Sequence, residues 1–174
     1  TTTVLKTQLA SRQIDLAFLL GPMEDPRVEN LYLCNYPLSW VASPKLKVGR
    51  QPIALKRLAQ WPVITYPSTT DPHRAVRQLL LQAGVEAPRM YGSASLSVIV
   101  RMAQDGIGTA VIAPVILRQE LARGDLRILD VKAPALPPLH YTAYWMQGPD
   151  SQVPRAVAEA AQQIAREEAL RHPA

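Results

Sequence analysis

The sequence predicts an α/β fold with mixed, mostly parallel sheets, on three observations. Segments of strand and helix character alternate along the chain. Several strands are near-continuous apolar runs, the pattern of strands covered on both faces, as in IDLAFLLGP at 14–22. Sixteen prolines fall at the ends of these segments, where proline stops one element and admits the next. A chain of 174 residues makes one domain or two small lobes and is long enough for a real core.

In order, residues 3–12 read as a short helix with Leu5 and Leu9 one turn apart, Thr2 or Thr3 serving as its N-cap. The 14–22 strand follows, then LSWVAS (38–43), a strand. RQPIALKRLAQWP is a loop with a short helix, and VITYPS (63–68) is a strand. Residues 70–84 form the clearest helix: Asp71 caps it, Pro72 opens it, and Val76, Leu79, Leu80 and Ala83 make one apolar stripe. Gly84 then takes the left-handed position that ends a helix. A strand at Arg89–Tyr91 leads into a helix carrying Val98, Ile99, Met102 and Ala103. Gly106 stops that helix, and Gly108 permits close backbone approach before a strand at Thr109–Ala113, which Pro114 closes. A helix ends at Gly124, strands follow at 126–131 and 139–146, and 150–171 is a long final helix.

Composition narrows the function. The chain is 48% hydrophobic and 19% charged, and its net charge of +5 is spread along the sequence. No compact run of Lys and Arg marks a nucleic-acid footprint. No run of ~20 apolar residues marks a membrane span. The single cysteine, Cys34, excludes a disulfide within the chain, and its apolar neighbours suggest a buried, inert thiol. The opening TTTVLKTQLA lacks the parts of a signal peptide, so a cytoplasmic location is expected.

No catalytic constellation emerges. His73, His140 and His172 have no partners at metal-ligand spacing, and CxxC, HExxH and a serine elbow are absent. Gly106-Ile107-Gly108 follows a helix and precedes a strand, the reverse of a dinucleotide fingerprint. Neither metal nor cofactor is expected, and an enzyme is the least favoured class.

Two hydroxyl-rich stretches carry more. YPSTT (66–70) and GSASLS (92–97) each lie between the carboxyl end of a strand and the amino end of a helix. In open α/β sheets that rim binds ligands, and helix-start N–H groups favour an anion there. Capping alone accounts for any single serine; two such stretches together favour a site.

Taken together, the segments resemble the effector-binding domain of LysR-type transcriptional regulators. LKTQLASRQIDLAFLLGP resembles the passage in which a helix ends and an "lDlAi" strand begins. PLSWVASPKL occupies the place of the crossing strand, without the usual "HPLA" after it. LAQWPVITYP resembles "dLa..pfi.y", and SASLSVIVRMAQDGIGTAVIAPVILRQELARGDLRIL is similar to "l..lVaaGlGiallP..l...l..g.L..l" over its full length. Order and spacing carry the resemblance, which covers essentially the whole chain.

The resemblance implies a two-lobe fold of the periplasmic-binding-protein kind, type 2. Residues 1–174 form one effector-binding domain, with lobe I near 1–38 plus 144–174 and lobe II near 43–139. Crossing strands fall near 38–43 and 139–146. Ile14, Leu16 and Phe18 become plain core. The winged helix-turn-helix, and the strand, helix and strand that normally open the effector domain, are expected to lie outside this chain. An effector, best matched by a small carboxylate with aromatic character given Tyr66 and Tyr91, would sit in the cleft between lobes. By matched position its contacts are Thr2, Thr3, Ser93, Ala94 (through its backbone) and Ser95, with Thr65, Tyr66 and Ser68 at the edge. A homodimer or tetramer is implied, with promoter DNA reached only through the separate DNA-binding domain and no membrane partner. The alternative is a stand-alone solute-binding protein of a transport system; an enzyme on the same fold is a third class.

Overall fold

A computed structural model describes residues 2–171. Its helices are α1 (Thr2–Ala10), α2 (Leu55–Leu58), α3 (Asp71–Gln82), α4 (Leu96–Gln104), α5 (Arg118–Arg123) and α6 (Gln152–Arg171). Its strands are β1 (Leu16–Leu20), β2 (Val28–Tyr36), β3 (Ser39–Ala42), β4 (Ile53–Ala54), β5 (Val63–Thr65), β6 (Met90–Gly92), β7 (Thr109–Ile112), β8 (Arg127–Ile128), β9 (Val131–Lys132) and β10 (Leu139–Met146). The chain divides into two units: residues up to Tyr36 with those from Leu139 onward, and Pro37–Pro138. Both passages occur at prolines, which have no N–H to continue a ladder. The two strands expected to cross between lobes each pair within one unit, β3 in the second and β10 in the first.

In the first unit, β10 lies between β1 and β2 and runs antiparallel to both. The ladder with β2 shifts register between Tyr141 and Thr142. One core cluster joins Leu9 of α1 to Ala17, Leu19, Tyr144 and Met146; another joins Leu33, Ala143 and Trp145 to Ala158 of α6. Thr2 and Thr3 lie in the first turn of α1 and do not cap it. That helix ends without glycine: Arg12 takes φ +56° and the Gln13 N–H donates to the Gln8 carbonyl at 2.9 Å.

Phe18 corrects the expected core, because it is 45% exposed while its neighbours Ala17 and Leu19 are buried. Both faces of β1 are apolar, so alternation alone does not say which is covered. α6 packs over β2 and β10, and Phe18 stands on the outer strand of this sheet. Cys34, on β2, is half-buried and not fully enclosed.

The second unit holds a sheet of order β6-β5-β7-β3-β8 and a small β4–β9 pair. β5 runs parallel to β6 and β7, and β4 parallel to β9, whereas β3 runs antiparallel to both its neighbours. Val41, Ile64, Ile99, Ala103, Ala110, Ile112, Leu117 and Leu126 form its core. The expected strand at 126–131 is two short ones. The Leu129 N–H bonds the Trp40 carbonyl while the Asp130 carbonyl takes the Ile53 N–H, both at 2.8 Å, so the segment switches partner midway.

The start of α3 shifts by one residue from the sequence reading. Thr70 is the N-cap of α3, which makes Asp71 its first residue and Pro72 its second; Gly84 beyond it has φ +79°. Gly106 also takes the left-handed conformation, at +73°. Gly108 does something different: a Cβ there would lie 2.1 Å from the Pro62 carbonyl oxygen, which accepts the Thr109 N–H at 3.0 Å. Close approach of two backbones requires the glycine.

Candidate functional site: a hydroxyl-rich rim in the second unit

Parallel pairing of β5 with β6 places Thr65 beside Gly92, so the segments leaving these strands emerge together. The Ser93 N–H donates to the Thr65 carbonyl at 3.0 Å and extends the ladder one step. Gly92 then lets the two backbones touch. A Cβ there would lie 3.0 Å from the Tyr66 carbonyl oxygen and 3.3 Å from the Ser68 nitrogen. The 66–68 and 93–95 stretches, separate in sequence, thus form one rim.

Within this rim the serines are organised by the start of α4. Ser95 is its N-cap, and its Oγ accepts the Val98 N–H at 3.4 Å. Ser93 Oγ accepts the Ser95 N–H at 3.1 Å, closing a turn just before the helix. Ser95 Oγ and Ser97 Oγ lie 2.8 Å apart. The first N–H groups of any helix lack intrahelical acceptors. Here no described protein group accepts from those of Leu96 and Ser97. Ser95 and Ser97 are exposed, so hydroxyls and amide donors face solvent together. A carboxylate matches such donors without a buried counter-charge.

The expected residues divide by environment. Ser93, Ala94, Ser95, Tyr66 and Ser68 belong to the rim. Thr65 is fully buried, and its hydroxyl donates to the Val111 carbonyl at 3.0 Å, a bond that ties β5 to β7. Its side chain is committed to the sheet, and only its backbone shapes the rim. Tyr66 offers its carbonyl to His73 Nδ1, 3.0 Å away, while its ring packs on the unit's core. Ser68 is exposed. Thr2 and Thr3 lie in the first unit, where the Thr3 carbonyl accepts from the Thr7 hydroxyl at 3.2 Å.

Two members lie in the GSASLS stretch but were not named as individual contacts from sequence. Ser97 had a signal, the S-x-S spacing that returns a side chain close to the cap. Gly92 had a weaker one, a glycine directly before the serines, whose purpose needs the neighbouring strand to be seen. Among the described residues, no three His, Cys, Asp or Glu side chains group to hold a metal ion, and no helix is long and apolar enough to cross a membrane.

Comparison with known proteins agrees with the fold. No curated protein sequence matches the chain. Among solved structures, the Synechocystis PCC6803 CcmR regulatory domain in complex with 2-PG aligns with TM-score 0.75 at 18% identity, covering 95% of this chain and 80% of that one. The bromide ion-bound regulatory domain of HypT from Salmonella typhimurium aligns with TM-score 0.74 at 21% identity, covering 95% and 79%. The OxyR2 regulatory domain C206S mutant from Vibrio vulnificus gives 0.73 at 20% identity, covering 95% and 78%. The family model described as LysR substrate binding domain matches residues 1–167. This chain belongs to the LysR substrate binding domain family.

Proposed function

We propose that the rim formed by Tyr66, Ser68, Ser93, Ala94, Ser95 and Ser97 binds a small anionic effector, a carboxylate, and that its occupancy is passed to a separate DNA-binding domain. One observation carries this reading: two hydroxyl-bearing strand ends abut at Gly92, beside helix-start amides that no described protein group accepts. The bromide in the HypT domain and the 2-PG in the CcmR domain support a ligand-binding role on this fold. A transmitted signal requires unequal affinity of the effector for the conformations it selects between. Promoter recognition belongs to the DNA-binding domain, and the regulator works as a homodimer or tetramer, which sedimentation velocity reads directly.

The test is thermal unfolding of the 174-residue chain against a panel of small carboxylates. A ligand at 100 times its Kd raises stability by about 2.7 kcal/mol, a clear shift in melting temperature. Ser93→Ala with Ser95→Ala should abolish that shift, while Ser95→Asn keeps the cap and separates a lost fold from a lost site. Thr2→Ala and Thr3→Ala enter the same series. Undiminished affinity in the double serine variant overturns the assignment.

A further inference from the structure

Folding sorts the charges unevenly. The second unit carries thirteen Lys and Arg against six Asp and Glu, a net +7, and the first carries six against eight, a net −2. The excess gathers in one segment. Lys45, Lys47, Arg50, Lys56 and Arg57 fall within thirteen residues, and no carboxylate occurs between Glu29 and Asp71. All five are exposed. Arg27, Arg74, Arg101 and Arg155 each pair with a carboxylate, whereas among the described residues none of these five does.

The segment is also firmly held. Leu46, Val48, Ile53, Leu55 and Leu58 are buried between the exposed cations and anchor them. The Gln51 side-chain oxygen accepts the Asp130 N–H at 2.7 Å. Gly49, at φ +94°, turns the backbone beneath Arg57; a Cβ there would lie 2.7 Å from Arg57 Nη2. The Arg57 guanidinium thereby lies against Gly49, the residue before Arg50. Arg127 supports the loop from below, its Nη2 donating to the Leu46 carbonyl at 3.4 Å, while its buried Nε has no partner among the described residues.

We propose that this segment, through Lys45, Lys47 and Arg50 and through Arg57 of α2, docks the phosphate backbone of duplex nucleic acid without reading its sequence. Three features favour that partner. No large apolar side chain is exposed between residues 43 and 58, so the segment itself supplies no apolar centre for a protein interface. Residues 43–58 contain no aromatic residue on which unpaired bases could stack. The cations are solvent-exposed, and none of them pairs with a carboxylate among the described residues. Unpaired Lys and Arg at intervals along a rigid surface match a line of phosphates. In the linear sequence these cations are too widely spaced to form a run, and their lack of carboxylate partners among the described residues shows only in the fold.

The test is fluorescence anisotropy of the 174-residue chain with a labelled random-sequence duplex over a salt series. Four neutralised phosphates give a log–log salt slope of about −3.6. Lys47→Gln with Arg50→Gln should reduce its magnitude by about 1.8, or half. Arg77→Gln with Arg123→Gln removes the same charge from exposed helical positions of the same unit and should leave the slope unchanged; circular dichroism confirms that both variants fold. Absence of duplex binding at low salt overturns the proposal. So does an equal loss in the two variants, which would mark diffuse attraction to the whole unit. Competition by polyglutamate as effective as by duplex also overturns it, in favour of an acidic protein partner.

Discussion

Single residues separate roles that look alike in sequence. Gly106 and Gly108 read as one Gly-Ile-Gly stop, but only Gly106 has positive φ, at +73°, and only Gly108 lies against a carbonyl. Gly106→Ala should therefore cost about 1–2 kcal/mol, the price of a left-handed alanine. Gly108→Ala must move a backbone oxygen and should cost about 3 kcal/mol, the upper range of overpacking. Urea unfolding of both variants measures the order, and equal costs would contradict it. The glycines were legible as a stop; which neighbour demanded each was not, since Pro62 is far away in sequence. Elsewhere, Arg27 donates side-chain and backbone hydrogen bonds to Asp25 and holds its carboxyl down from 3.8 to about 2. The depressed value means the pair contributes above the ordinary carboxylate range and is lost as pH falls through about 2. Carboxyl NMR titration should place Asp25 there, and Arg27→Gln should return it toward the ordinary value.

Elements with both faces apolar hide their orientation. In β1 the sequence favoured Leu16 and Phe18 as core, yet Leu19 is 1% exposed and Phe18 45%. Leu19→Ala should cost about 2–5 kcal/mol, the range for a buried leucine, and Phe18→Ala about 1 kcal/mol or less. Comparable losses on chemical unfolding would restore the original assignment. α3 and α4 were legible because a helical stripe, a cap and a stop signal coincide in each. β2 carried no clean period: Glu29, Asn30 and Asn35 interrupt it, and it forms through pairing with β10, more than a hundred residues later. Glu29 shows what that pairing supports, accepting from Trp145 Nε1 at 3.0 Å and pairing with Arg155 of α6 at 2.5 Å. The rim divides in the same way. Its serines are visible from helix-start chemistry, but their meeting with Tyr66–Ser68 depends on the β5–β6 register.

At the scale of the whole molecule, the order of segments gave the family's fold, while the distribution of charge needed the division into units. A net +5 is unremarkable when spread evenly, but +7 against −2 gives the two units opposite electrostatic terms. Within the second unit, unpaired cations of the 45–57 segment repel one another, and added salt relieves that repulsion. Exposed pairs such as Arg74 with Asp71 and Arg101 with Asp105 lose a few tenths of a kcal/mol each under screening. The excess of like charge outweighs them, so the sum favours stabilisation. The first unit is nearly neutral and has Arg27–Asp25 and Arg155–Glu29 to lose. Raising ionic strength from about 0.01 M to 0.15 M shortens the screening length from about 30 Å to 8 Å. Hydrogen exchange should then show stronger protection at Ile64 and Val111, in the second unit's sheet, and unchanged or weaker protection at Ala143, in the first. A uniform response of all three amides would mean that the charge division has no energetic consequence; in the expected pattern, neutralising Lys47 and Arg50 with glutamine should remove most of the second unit's gain.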